Sequence, residues 1–201
     1  KWDNSKYNPV PTIIEAAETL FAGHCVADIA RASSSQENLK LTSQCIVEAI
    51  GSAQTSKSKI ICFLTGVPGA GKTLAGLTIT HDPAVRSEDR PAGVFLSGNV
   101  PLVKILREAL ARDSKARGSY QNKQEAKRVV ETFVQNVHVF LNEYASLKDL
   151  PPERVVVFDE AQRAWDQGRL SKKSLQAGKD PDVFNCSELE LFLRIMDRHD
   201  W

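Results

Sequence analysis

Apolar residues recur along this chain in two rhythms, helical spacing and short continuous runs, and the two alternate. Thr12-Ile13-Ile14-Glu15 has the form of a helix-capping box. Ile13, Ala17, Leu20 and Phe21 follow at helical intervals, with Gly23 placed to stop the helix. A second helix is predicted from about residue 42 to 50, ended by Gly51, and the polar stretch 33–38 before it reads as a loop. Ile60-Ile61-Cys62-Phe63-Leu64 is a continuous apolar run, the pattern of a strand buried on both faces of a parallel sheet. A Gly-rich turn follows, then a helix over Leu74-Ala75-Gly76-Leu77-Thr78-Ile79. Gly93-Val94-Phe95-Leu96-Ser97 predicts a second strand. Residues 101–112 predict an amphipathic helix with Leu102, Ile105, Leu106, Ala109 and Leu110 on one face. After a polar, basic connection, Val130, Phe133, Val134, Val137, Leu141 and Tyr144 read as the stripe of one long helix from about 124 to 144. Pro151-Pro152 breaks the chain before a third buried strand, Val155-Val156-Val157-Phe158. A basic loop over 168–180 leads to a last helix, which opens on the capping box Ser187-Glu188-Leu189-Glu190.

Strands alternating with helices predict an α/β fold, a parallel sheet flanked by helices in three layers. Only three strands can be counted, so the core reads as incomplete, part of a larger one. The division expected is an N-terminal helical extension over 1–55 and an α/β domain over 56–201.

Composition narrows the picture. The 201 residues are 42% hydrophobic and 25% charged, ordinary values for a globular chain that needs no disulfide or metal staple. Twenty-six basic against 25 acidic residues exclude a generally cationic nucleic-acid binder, so any basic surface is local. Between Arg86 and Arg128 ten basic residues face five acidic ones, and Arg169, Lys172, Lys173 and Lys179 add a second basic stretch. These could flank a strand-binding groove or be a solvated helix face and a mobile loop. Cys25, Cys45, Cys62 and Cys186 form no CxxC pair, which argues against zinc and against a disulfide scaffold. Three of them sit in apolar or helical patterns, where reduced cysteine packs as a small buried hydrophobe. His24, His81, His138 and His199 show no metal spacing, and His138 reads as a packing or hydrogen-bonding residue. No apolar run reaches the roughly 20 residues of a membrane helix. The start, Lys1-Trp2-Asp3-Asn4-Ser5-Lys6, has neither a signal-peptide core nor a methionine. The expectation is a cytoplasmic protein, read here from within a longer gene product.

Gly66-Val67-Pro68-Gly69-Ala70-Gly71-Lys72-Thr73 matches GxxxxGK[ST] at every fixed position, between an expected strand and an expected helix. The chemistry needs that setting: glycines let the backbone curl until successive N–H groups point at phosphates, and the helix N-terminus adds its positive end. Lys72 would reach the β- and γ-phosphates of ATP, and the Thr73 hydroxyl would ligate Mg²⁺. The apolar run 155–158 ends in Asp159-Glu160. Ligands of parallel sheets gather at the carboxyl ends of strands, so both acids should face the phosphate loop. Asp159 is then placed to hold Mg²⁺ through water, and Glu160 to orient the attacking water. A second acid at that place favours hydrolysis over simple nucleotide binding.

Asp159-Glu160-Ala161-Gln162, with the phosphate loop, resembles motifs I and II of superfamily 1 helicases. More closely, the segments 9–17, Phe95-Leu96-Ser97-Gly98-Asn99 with Pro101-Leu102-Val103, and Phe158-Asp159-Glu160-Ala161-Gln162-Arg163-Ala164-Trp165 resemble bacterial helicase-like ATPases of the Schlafen group 3 type. Residues 133–138 and 196–200 are similar too. The resemblance implies the first RecA-like domain of a two-domain, nucleic-acid-dependent ATPase. Gln162 would sense the γ-phosphate, and Ser97, Gly98 and Asn99 would lie in the loop that touches a single-strand backbone. Gln44, 22 residues before Gly66, is a candidate adenine reader, against the alternative of a helix-surface glutamine. Trp165 could stack on a base or serve the core. Such helicases continue into motif III and a second RecA-like domain that brings an arginine finger, and this chain stops before motif III. On its own it is expected to bind nucleotide, hydrolyse it slowly and unwind nothing. In the full-length protein the expected partners are single-stranded DNA or RNA and the second RecA-like domain, with phage defence a plausible setting. Three other readings stay open: a nucleotide-controlled signalling or defence switch without strand movement, a kinase-type enzyme, and a degenerate binding module.

Overall fold

The computed structural model of the chain describes residues 12–21, 33–82, 85, 93–116, 118–146 and 150–201. Expectations for residues 1–11, for Gly23, His24 and Cys25, and for Arg86, Arg90 and Arg117 lie outside them. Helices α1 (Ile13–Phe21) and α2 (Ser33–Ser56) come first, then α3 (Lys72–His81), β1 (Val94–Ser97) and α4 (Val100–Ala116). They are followed by α5 (Lys123–Phe133), β2 (Val134–Asn136), α6 (Val137–Tyr144) and β3 (Val156–Asp159). A 3₁₀ turn (Ala161–Arg163), α7 (Gln167–Gln176) and α8 (Glu188–Met196) complete the order.

The three strands form a parallel sheet in the order β2-β1-β3. Successive side chains on a strand point to opposite faces, and each face has its own core. Phe95 and Val157 point to one side, against Ala17 of α1, Leu77 of α3, Leu106 and Leu110 of α4 and Val130 of α5. Val94, Leu96, Val156 and Phe158 point to the other, against Phe140 of α6, Leu170 of α7 and Leu191 and Ile195 of α8. This is the expected three-layer, RecA-like α/β arrangement. The register aligns Ser97 with both Asn136 and Asp159, so the carboxyl ends of the strands present three polar residues side by side.

The structure departs from the sequence reading in five places. The run 60–64 is not a buried strand: it pairs with no strand of the sheet, and Phe63 is 87% exposed. Among the described residues nothing pairs with the outer edge of β3, so its four residues are only half-buried, whereas β1, central in the sheet, is buried throughout. Lys59 anchors the start of the run through its ammonium, which donates to the Asp197 carbonyl and carboxylate at 2.5 and 2.7 Å. The predicted long helix is two, because β2 interrupts it; the Asn136 side chain accepts from His138 N (3.0 Å) and starts α6 afresh. The two helices follow each other closely enough for their apolar stripes to look continuous. The basic loop is mostly helix α7, capped by Asp166 accepting from Arg169 N at 2.8 Å, with Leu170 and Ser174 buried. Residues 33–38 and Gly51 both lie within α2, whose polar sequence hid its length. Cys45 and Cys62 are exposed free thiols, and only Cys186 is buried among the cysteines described.

Gly76 lets α3 lie close on the sheet. A Cβ there would come within 2.8 Å of Val157 Cγ1 and 3.3 Å of Phe95 Cε2. Gly76→Ala would gain up to about 1 kcal/mol of helix propensity, but overpacking a core costs about 1–3 kcal/mol. The expected result is a lower Tm together with weaker nucleotide binding, since α3 carries the end of the phosphate loop. An unchanged Tm would mean that the Val157 side chain yields freely.

Candidate active site

The candidate phosphate loop turns on two glycines in the left-handed region, Gly69 at φ 82° and Gly71 at φ 83°, where any L side chain is strained. Gly71 is also the N-cap of α3 and offers no side chain, so the first N–H groups of that helix meet no capping group. Uncapped amides beside a curled backbone are the donors an anion needs. Lys72 bends back over the loop, its ammonium donating to the carbonyls of Gly66 (2.7 Å) and Val67 (3.0 Å). Val67, Pro68 and Ala70 are exposed, and Ala70 N closes a turn on Val67 O at 3.2 Å.

One hydrogen bond ties the loop to the acidic strand end: the Thr73 hydroxyl donates to Asp159 Oδ1 at 3.0 Å. Asp159 Oδ2 is buried and has no protein partner. Burial pushes the Asp159 carboxyl above the ordinary aspartate range, against the Thr73 hydrogen bond, which lowers it; Glu160 beside it pushes further up and Lys72 pulls down. A buried carboxylate oxygen without a donor, next to a hydroxyl, is a set of hard oxygens that fits Mg²⁺. No group of three His, Cys, Asp or Glu that could enclose a metal occurs among the described residues. A magnesium here would therefore need its shell completed by phosphate and water, as this ion commonly does.

Glu160 follows in the left-handed region, φ 56° and ψ 36°, a conformation seldom taken outside glycine. Its Oε2 accepts from Gln162 Nε2 at 2.5 Å and lies 3.4 Å from Arg163 Nε. Beside this corner, Ser97 is fully buried, and its hydroxyl accepts from Asn99 N at 3.2 Å. Gly98 and Asn99 are exposed, and Asn99 Oδ1 accepts from Leu102 N at 3.3 Å to start α4. Gln44 is exposed on α2.

Sequence reading saw Glu188 only as part of a helix cap and missed its main role. Ser187 does cap α8, accepting from Glu190 N at 3.2 Å. Glu188, 1% exposed, turns the other way. Its Oε2 accepts from Trp165 N at 2.8 Å, its own N–H donates to Trp165 O at 2.9 Å, and its Oε1 lies 2.5 Å from His138 Nδ1. The His138 ring lies against Trp165 (centroids 4.1 Å apart), and the Arg169 guanidinium lies 4.6 Å from the Trp165 ring centroid. Trp165 is thus packed against His138 and Arg169, and Glu188 latches the segment after Asp159-Glu160-Ala161-Gln162 onto α8. The available signal was an acid in the first turn of a helix, on the side that carries Leu191 and Ile195 inward. Glu188→Ala should cost about 1–3 kcal/mol, the cost of leaving a buried donor unsatisfied, because Trp165 N loses its acceptor. Thermal unfolding checks this, with Glu188→Gln recovering part of the loss through Trp165 N.

Part of the expected basic groove is taken up by internal pairing, while Lys104, Lys115, Lys127 and Arg128 stay exposed. Glu108 holds both Arg112 and Lys123, and their charge and hydrogen bonds keep its carboxyl below the usual range. Arg107 donates to Val134 O at 2.6 Å, while Lys172 and Lys173 on α7 stay exposed. No helix among the described residues is long and apolar enough to cross a membrane.

A family model described as Schlafen group 3, DNA/RNA helicase domain, matches residues 59–200, from the run before the phosphate loop to the end of the chain's last turn. Comparison with curated proteins and with solved structures gave no match.

Proposed function

This chain belongs to the Schlafen group 3 DNA/RNA helicase domain family, and on that footing we propose that it is the ATP-hydrolysing motor half of a superfamily 1-type DNA or RNA helicase or translocase. The observation that carries the reading is the Thr73–Asp159 hydrogen bond with the unpartnered Asp159 Oδ2 beside it. It joins a phosphate-binding loop to an acidic strand end at one point.

Each residue has a part that its present contacts make possible. Lys72 exchanges two backbone carbonyls for the β- and γ-phosphates of ATP, a stronger, charge-assisted pairing. The amides around Gly69, Gly71 and the first turn of α3 receive the remaining phosphate oxygens. Thr73 and Asp159 would hold Mg²⁺, which when bound neutralises charge on the phosphate oxygens. Glu160 orients the attacking water and accepts its proton. Gln162, bonded to Glu160, links the γ-phosphate to that carboxylate. Gly98 and Asn99 take the single-strand backbone, with Ser97 bracing their loop from beneath. Gln44 stands as the candidate reader of the adenine.

Binding of a labelled single-stranded oligonucleotide by the full-length protein, measured with ADP and with a non-hydrolysable ATP analogue, tests the reading. A motor requires strand affinity to depend on the nucleotide, here by about fivefold or more, within the usual range of coupling between sites. A protein that binds no single strand in either state would instead be a nucleotide switch.

A further inference from the structure

A cleft of about 340 Å³ opens at the carboxyl end of the sheet, its walls including Gly98, Asn99, His138, Glu160, Arg163 and Trp165. It therefore joins the candidate strand-binding loop directly to the candidate catalytic carboxylate. Among the described residues that line it, Arg163 is the one side chain with a permanent positive charge. Of the other charged or titratable lining groups, His138 and Glu188 are paired with each other. That leaves Glu160, and it is Glu160 that Arg163 faces, Nε to Oε2 at 3.4 Å.

We propose that Arg163 is a strand-sensing positioning residue: with no strand bound it holds the Glu160 carboxylate in an ion pair, turned from the place of the attacking water, and a backbone phosphate of a single strand entering the cleft draws it off. This rests on the reading of Glu160 as the residue that activates water.

Three observations carry it. First, Gln162 donates to Glu160 Oε2 at 2.5 Å and the Arg163 guanidinium lies 3.4 Å from the same oxygen, so one hydrogen bond and one ion pair converge there. Second, the pair is exchangeable: the side chains of Arg163 and Glu160 are 73% and 37% exposed, and ion pairs so open to solvent hold weakly. Third, a phosphate lying over Gly98 and Asn99 would find no other fixed cation on the cleft wall. Guanidinium takes a phosphate through two parallel N–H groups, whereas its pair with Glu160 is an Nε contact at 3.4 Å. No bond is made or broken in the exchange; one ion pair replaces another. By linkage, a nucleotide state that needs Glu160 free also raises the affinity for the strand.

The test compares steady-state ATP hydrolysis by the full-length protein as wild type, Arg163→Ala, Arg163→Lys and Glu160→Gln, with and without a single-stranded oligonucleotide. Arg163→Ala should raise the unstimulated kcat by about fivefold, leave the KM for ATP unchanged, and reduce strand stimulation to less than about twofold. Arg163→Lys, which keeps the charge, should restore part of the stimulation. A merely structural role would not raise kcat or separate it from KM. Arg163→Ala with wild-type rates and stimulation, or with a lowered unstimulated rate, overturns the proposal while an inactive Glu160→Gln leaves the function reading standing. A fully active Glu160→Gln overturns the base assignment and the clamp together.

Discussion

Replacing Glu160 with glutamine is expected to lower kcat for ATP hydrolysis by roughly 10²–10⁴-fold, the usual worth of a general base, without weakening ATP binding. Glutamine is nearly isosteric and keeps the side-chain oxygen that Gln162 bonds, so the 3₁₀ turn and the left-handed backbone at this position have no reason to change. It cannot take a proton from water. The proposed nucleotide contacts lie elsewhere, in the loop from Gly66 to Thr73 and at Asp159. The variant should hold ATP with wild-type affinity and fail to turn it over, and equilibrium binding beside single-turnover kinetics checks both halves. A fall in affinity as large as the fall in kcat would mean that Glu160 serves binding.

Lys72→Ala should lose in the opposite pattern, with affinity and rate falling together and kcat/KM down roughly 10²–10³-fold, comparable to removing one charge-stabilising donor from an active site. In the loop its ammonium donates to the carbonyls of Gly66 and Val67. Both residues are exposed, so water replaces the lysine at little cost and the fold should keep its Tm. The phosphates have no such substitute, because Lys72 is the cation of the loop. Binding of a fluorescent ATP analogue and thermal unfolding together measure this. Near-normal binding would place the phosphates somewhere other than the loop.

The candidate site residues stand out in the sequence because each motif is a short run whose type and spacing are themselves the signal. Gly69 and Gly71 are demanded by left-handed backbone, and Asp159 by its place at the end of an apolar strand. That Thr73 reaches Asp159 is tertiary, set by how α3 lies on β3, and Gly76 permits that approach. Strands β1 and β3 were legible because a buried parallel strand is a compact apolar run. The same rule failed at 60–64, since hydrophobicity reports what a segment can pair with and not whether the partner is there. The break at Val134–Asn136 was hidden by two helices whose stripes run on from one another, and α7 by having few apolar residues. Glu188 was masked by a correct local reading: a first-turn acid suits a helix N-terminus, and its tie to Trp165 and His138 depends on residues far away in sequence. Arg163 was quoted within a motif, while its contact with Glu160 depends on the left-handed turn at that residue.

The proposed function requires an ATP-hydrolysing site that answers to nucleic acid. The most direct measurement is steady-state ATP hydrolysis by the full-length gene product, with Mg²⁺, in the absence and presence of single-stranded DNA or RNA, with Lys72→Ala and Glu160→Gln as blanks. The expected result is a slow basal rate raised about tenfold or more by one of the strands, within the range of coupling between sites, and lost in both variants. Hydrolysis indifferent to either strand, or surviving in Glu160→Gln, would contradict it.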